Sequence, residues 1–257
     1  MTFALTPRLR AAGLACAAAL AVAAATPAAA QQALTPEQAG EVDARVRDYI
    51  LANPEIILEA LEILESRRGD AQATADAQLV FQHAEALLDD GYSPVFGAAD
   101  GDVTVVEFSD YRCGYCKAAH PHVTELLDGD AKLRLVHKQF PILGADSVFA
   151  ARAAMAAQGL DRAAHDRFHD AMMTFRGALD EAAVLRLAGG AGIEEGDLRT
   201  AMEAPEIAER IRETYSLAKD LKIEGTPSFI IGDRILRGYV EVEQMRELVA
   251  EARAAAQ

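Results

Sequence analysis

The chain has no tryptophan, three cysteines, and 25 basic residues against 40 acidic ones in a length of 257. A shortage of lysine and arginine, with a formal net charge of −15, argues against nucleic acid as a partner and against docking on anionic lipid, since both need clustered cations. So few cysteines exclude a disulfide-stapled mini-domain and a four-cysteine zinc site. The one long apolar run, "AAGLACAAALAVAAA" from Ala11 to Ala25, is alanine-rich and shorter than the ~20 residues a membrane span needs. The missing tryptophan carries no functional implication.

That run has the form of a secretory leader. Arg8 and Arg10 precede it, and "PAAAQQ" offers an Ala-x-Ala cleavage site after Ala30, so residues 1–30 read as a signal peptide. Cys16 lies inside it, and Gly13 three residues earlier, in place of a large aliphatic residue, argues against lipid attachment. Cleavage would remove two basic residues and no acidic one, and would leave Cys113 and Cys116 as the cysteines of the exported chain. What remains is long enough for one or two domains with cores of their own.

Residues 31–90 read as helix. "TPEQ" at Thr35–Gln38 has capping-box spacing with proline at the first helical position. Asn53 and Pro54 start a second helix, "EIILEALEILESRR", and Gly69–Asp70 predict a break before a third helix over about 71–88. Their apolar stripes must cover themselves on the following domain or on other copies of the chain. From residue 91 the pattern changes. "VTVVEFS" (103–109) suits a buried strand, a helix is expected from near Cys113, and "KLRLVHKQF" (132–140) reads as the next strand, which makes a β-α-β unit spanning 91–144. Residues 145–222 are helical in short segments, broken at Gly189–Gly192 and Pro205. Residues 223–257 hold two short strands joined as a hairpin and a final helix from about Val242.

Three readings compete for "CGYC" at 113–116. Zinc lacks a second cysteine pair, although His120, His122 and His137 lie nearby in sequence. An inert staple across so short a loop removes little unfolded-state entropy. A redox pair has a mechanism: a cysteine at a helix start meets unpaired backbone N–H groups and the positive end of the helix dipole, which favour thiolate. Cys113 is then the exposed nucleophile that forms a mixed disulfide with substrate. Cys116, one turn in and more buried, is the resolving thiol. The histidines receive no role from the sequence.

The strand, the CxxC, Pro121 eight residues after the first cysteine, and Thr226-Pro227 before a later strand resemble the thioredoxin fold, and the long helical insertion resembles its DsbA-like branch of exported thiol-disulfide oxidoreductases. The fold class expected is therefore α/β, a thioredoxin fold with an inserted helical domain and an N-terminal helical oligomerisation extension. The resemblance implies that Glu107 is the buried acid serving the resolving thiol and that Lys138 is its partner. It implies that Gly114 and Tyr115 tune the redox potential, and that Thr226 and Pro227 form a substrate-binding cis-proline loop. It implies no metal and no cofactor.

"VRDYILANPEIILEALEILESRR" resembles the extension of the suppressor-of-copper-sensitivity protein C family, associated with trimerisation. That implies a periplasmic disulfide isomerase or reductase, homotrimeric, acting on disulfide-containing exported proteins and kept reduced by a membrane thiol reductase. A monomeric dithiol oxidase and a copper-binding protein using the two thiolates are the alternatives.

Overall fold

The computed structural model describes residues 34–256. The signal peptide expected over residues 1–30 lies outside them. Helix α1 (Pro36–Ala52) begins on a closed capping box: Gln38 N–H donates to Thr35 Oγ1, and Thr35 N–H donates back to Gln38 Oε1. Asn53 closes it, its side-chain amide donating to the Tyr49 carbonyl. Helix α2 (Glu55–Gln82) then runs 28 residues straight through Gly69 and Asp70. The expected break fails because one glycine costs a helix interior only about 1 kcal/mol, and no neighbouring side chain crowds Gly69. The third helix is correspondingly short, α3 (Ala84–Leu88).

The chain divides into two compact units, one ending at Ala60 and one beginning at Leu61. The first has no buried side chain among its described residues; Val42, Val46, Tyr49, Leu51, Ile57 and Leu58 are all exposed. The expected boundary at residue 90 lies inside the second unit. Leu87 is buried with Val106, Phe108 and Phe140, and Asp76 on α2 receives two bonds from the Arg237 guanidinium, at 2.8 and 2.9 Å. The later part of α2 and α3 are thus part of the folded core rather than an extension.

The second unit is built on a mixed five-stranded sheet in the order β1-β3-β2-β4-β5. Its strands are β1 (Val95–Gly97), β2 (Val103–Ser109), β3 (Leu133–Gln139), β4 (Ser228–Ile231) and β5 (Arg234–Arg237). β2 and β3 are parallel and joined by helix α4 (Gly114–Gly129), while the other pairs are antiparallel. β1, three residues without a readable pattern, is absent from the sequence expectation. Five helices separate β3 from β4: α5 (Ala145–Leu160), α6 (Arg162–Thr174), α7 (Glu181–Gly190), α8 (Glu195–Met202) and α9 (Pro205–Asp220). Pro205 opens α9 at its first turn. Helix α10 (Val242–Ala255) closes the chain.

Alternation along β2 and β3 sorts their side chains onto two faces. Odd positions, among them Val103, Val105, Leu133 and Leu135, pack with Ala119 and Val123 of α4 and Met245 of α10. Even positions, among them Val106, Phe108 and Val136, pack with Leu87 of α3 and Leu217 and Ala218 of α9. These two faces decide which charged side chains can meet.

Candidate active site

β2 delivers the chain to a tight turn held by Asp110, whose carboxylate accepts from the N–H groups of Arg112 (2.8 Å) and Leu143 (3.0 Å). Cys113 follows as the N-cap residue of α4, in extended conformation. Cys116 lies one turn along, fully buried, while Cys113 keeps 7% of its surface. The sequence leads one to expect an exposed Cys113. It is instead mostly covered, because its Sγ sits 3.2 Å from the carbonyl oxygen of Thr226, whose peptide bond to Pro227 is cis. Both sulfurs are free thiols. Gly114 and Tyr115 stay outside, Tyr115 at 70% exposure.

The two thiols differ sharply in acidity. A hydrogen bond from the Cys116 thiol, with help from the Thr226 side chain and the backbone N–H groups of Cys116 and Tyr115, outweighs burial and brings the Cys113 pKa from 9.0 down to about 5. Burial, the bond to Cys113 and the charge of Glu107 push Cys116 the other way, so it keeps its proton. At neutral pH Cys113 is a thiolate, able to attack a disulfide sulfur, and Cys116 is a thiol that needs a base before it can do the same. Titrating the ultraviolet thiolate absorbance of the reduced protein is expected to show one group ionising near pH 5 and no second thiolate through neutrality. A single midpoint at the ordinary thiol value would overturn this assignment.

Glu107 lies on the odd face of β2 and is 3% exposed. Burial, then the charge of Cys113, raises its pKa from 4.5 to about 8. Its Oε1 has no hydrogen-bond partner among the described residues. A carboxyl so tuned can exchange a proton with a thiol near neutrality.

Lys138 is not its partner. Because β2 and β3 run parallel with Glu107 opposite His137 and Phe108 opposite Lys138, Lys138 points to the even face. There its Nζ donates to Asp90 Oδ2 and to the Ala86 carbonyl, each at 2.6 Å. Burial opposes the charge on Asp90, but bonds from Lys138 and Ser93 hold its pKa below the ordinary carboxylate value. The pair fastens α3 and the turn after it to the sheet.

Besides His137, the odd face carries groups that the sequence did not single out. Gln139 Nε2 donates to Tyr111 Oη (3.1 Å), which leaves the Tyr111 hydroxyl proton for His169 Nδ1 (2.9 Å). The same amide reaches His137 Nδ1 at 3.4 Å, and His137 Nε2 meets Ser109 Oγ at 2.9 Å. Burial lowers the pKa of His137 to about 3 and that of His169 well below its ordinary value, so both rings are neutral. Of the histidines noted in the sequence, His120 bonds Asp170 (3.0 Å) and His122 bonds the Tyr239 hydroxyl (2.8 Å).

Comparison with known proteins bears on the family and the fold. The model for the DSBA-like thioredoxin domain matches residues 104–250, and that for the copper resistance protein ScsC N-terminal domain matches residues 38–71. A thioredoxin-like oxidoreductase from Silicibacter pomeroyi is 43% identical, with a TM-score of 0.64 over 66% of this chain and 97% of that one. Proteus mirabilis ScsC in a transitional conformation is 30% identical, with a TM-score of 0.64 over 87% of this chain and 98% of that one. Among curated sequences, the Na(+)/H(+) antiporter NhaA 1 of Salinispora arenicola is 29% identical over 158 residues, which is 62% of this chain and 24% of the antiporter. The chain therefore spans about a quarter of the length of the first curated relatives it matches.

Proposed function

The chain belongs to the DsbA-like thioredoxin family, and from that premise we propose that it is a periplasmic disulfide isomerase or reductase that works as a homotrimer on misoxidised exported proteins. Cys113 attacks a substrate disulfide and becomes joined to one substrate sulfur, releasing the other as a thiolate. Mixed-disulfide formation removes the Cys113 charge, one of the two causes that hold the Glu107 proton; the ionised Glu107 carboxylate takes the proton of Cys116, and the Cys116 sulfur attacks Cys113, forming the intramolecular disulfide and expelling the second substrate thiolate. In isomerisation the freed substrate thiolate instead attacks a neighbouring substrate disulfide, and Cys113 leaves unchanged. The observation that carries the chemistry is the split between the thiols, with Cys113 lowered to about 5 and Cys116 raised by burial. Thr226 and Pro227, beside Cys113, hold an extended substrate segment by its backbone.

Two observations support the trimeric reading: the exposed apolar side chains of α1 and early α2, and the match of residues 38–71 to the ScsC N-terminal domain. Several active sites on one particle raise the effective concentration of thiolate around a bound client. A membrane thiol reductase returns the oxidised pair to the dithiol. The low pKa of Cys113 also favours a second reading, a dithiol oxidase, because stabilising the thiolate stabilises the reduced form and makes the disulfide more oxidising.

One experiment separates the two: refolding of a scrambled multi-disulfide protein beside oxidation of a reduced one, with the full chain and with a chain beginning at Ser66. That start keeps Asp76 and Leu87, which a start at Asp90 would strip from the core. Reshuffling is expected to fall about tenfold or more in the shortened chain, as effective concentration is lost, while oxidation holds. Light scattering is expected to give a trimer for the full chain and a monomer for the short one. Strong oxidation without reshuffling, unchanged by the deletion, would make the protein an oxidase.

A further inference from the structure

A cavity of ≈ 320 Å³ lies between α4, α6 and the odd face of the sheet, and the exchange chemistry described above leaves it unused. Its polar lining runs from Glu107 and His169, both buried, through His120, to Asp166 and Asp170 nearer the surface. Phe96, Val123, Leu127 and Leu135 supply apolar walls. His120 is intermediate in position as well as chemistry: its side chain is 13% exposed and bonds Asp170, which is 66% exposed. Thr124, exposed, stands at the rim.

Glu107 has a proton to lose. When Cys116 is resolved, one proton passes from its Sγ to the Glu107 carboxylate, and the carboxyl must release it before it can act again. Among the described residues none bonds its Oε1, which is buried. The hydrogen-bonded chain through Tyr111 ends at His169 Nδ1, which leaves Nε2 as the nitrogen free to serve the cavity its ring lines. A water takes roughly 30 Å³ and needs two to four polar partners, so this cavity has room and partners for several.

We propose that the cavity is the proton exit of Glu107: water inside it joins the carboxyl to His169 and His120, and the His120–Asp170 pair passes the proton to solvent. The inference rests on the reading of Glu107 as the proton acceptor for Cys116. The path moves protons only. Glu107–COOH becomes carboxylate as a water in the cavity is protonated, His120 accepts that proton on Nδ1 while its Nε2–H is held by Asp170, and bulk water removes a proton from the Nε2 side. The electrons stay in the sulfur chemistry, where the substrate disulfide is the oxidant. A metal centre is the other use for histidines so grouped, with His120, His137 and His165 each within 6.2 Å of the His169 ring, centre to centre. Their bonded nitrogens turn outward to Asp170, Ser109, Asp166 and Tyr111 in place of a common point. Among the described residues no three acidic, cysteine or histidine groups are arranged to hold an ion.

The test follows the carbonyl stretch of the protonated Glu107 carboxyl in the full chain, by infrared difference spectroscopy after mixing into heavy water. Glu107→Gln identifies the band by removing it. His120→Ala is expected to slow its proton-deuteron exchange by about tenfold or more, in line with the usual worth of a positioned acid–base group, and added imidazole, which fits the vacated space, should restore it. Thr124→Leu, which closes the rim, should slow exchange without rescue, and Asp170→Asn should slow it less than either. Exchange at the wild-type rate in both His120→Ala and Thr124→Leu, or a slowing that imidazole leaves untouched in His120→Ala, overturns the exit. If Glu107→Gln removes no band, the reading of Glu107 itself fails, whatever the other variants do.

Discussion

A Cys113→Ala chain is expected to lose disulfide exchange by a factor of about a thousand or more, the scale on which removing a nucleophile acts. The reason lies in how little else could replace it. Cys116 is fully buried and keeps its proton, and no third cysteine stands among the described residues. Cys116→Ala makes the contrasting case. It leaves the nucleophile in place but removes the resolving sulfur, so the protein should accumulate as a mixed disulfide with its client, visible by mass spectrometry and released by added thiol. It also removes the bond that most lowers the Cys113 pKa, so the thiolate midpoint should move up from about 5. A Cys113→Ala chain that keeps reshuffling a scrambled substrate would reverse the roles assigned to the two sulfurs.

Glu107→Gln should make the protein more stable and less active. The carboxyl pKa rises from 4.5 to about 8 on burial, so between those values the folded chain holds a proton that the unfolded chain has released. Wild-type stability is therefore complete below the unfolded value and falls as pH climbs through the folded one. Glutamine has no proton to lose and escapes the penalty. Full expression of the shift corresponds to roughly 3–5 kcal/mol, so urea denaturation should find the two proteins within about 1 kcal/mol in mild acid and well separated above pH 8. Using the oxidised form removes the Cys113 charge from the comparison. Resolution of the mixed disulfide should slow about a hundredfold in the variant, the usual worth of a positioned base. Equal stability of the two proteins at alkaline pH would mean that Glu107 is ionised in the fold at no cost.

Much of the site was legible because it is local. The run from Glu107 to Cys116 carries a strand, a turn and a helix start in ten residues, and the physics of a thiol at a helix N-terminus needs nothing from elsewhere in the chain. Lys138 went wrong because its face depends on a pairing that is not local. With β2 and β3 parallel and in the observed register, Lys138 pairs with Phe108 and not with Glu107, and alternation sends it to the opposite face. Register between strands 30 residues apart is what a single sequence does not disclose. The same holds for the odd-face polar network, whose members Ser109, Tyr111, His137, Gln139 and His169 come from the β2 end, β3 and α6. The helix break placed at Gly69–Asp70 overvalued a weak propensity, and the extension boundary at residue 90 could not anticipate that Asp76 would find Arg237, 161 positions away.

The sheet between Lys138 and Glu107 acts as electrical insulation. Asp90 absorbs the lysine charge on one side, and on the other side, among the described residues, the charge that raises the Glu107 pKa beyond what burial does is that of Cys113. The proton on that carboxyl then responds to the sulfur pair: burial holds it in either redox state, and a reduced pair, with its thiolate, holds it more tightly than an oxidised one. Protons and electrons leave this centre together, and its reduction potential should steepen with pH wherever the carboxyl changes hands with the thiolate.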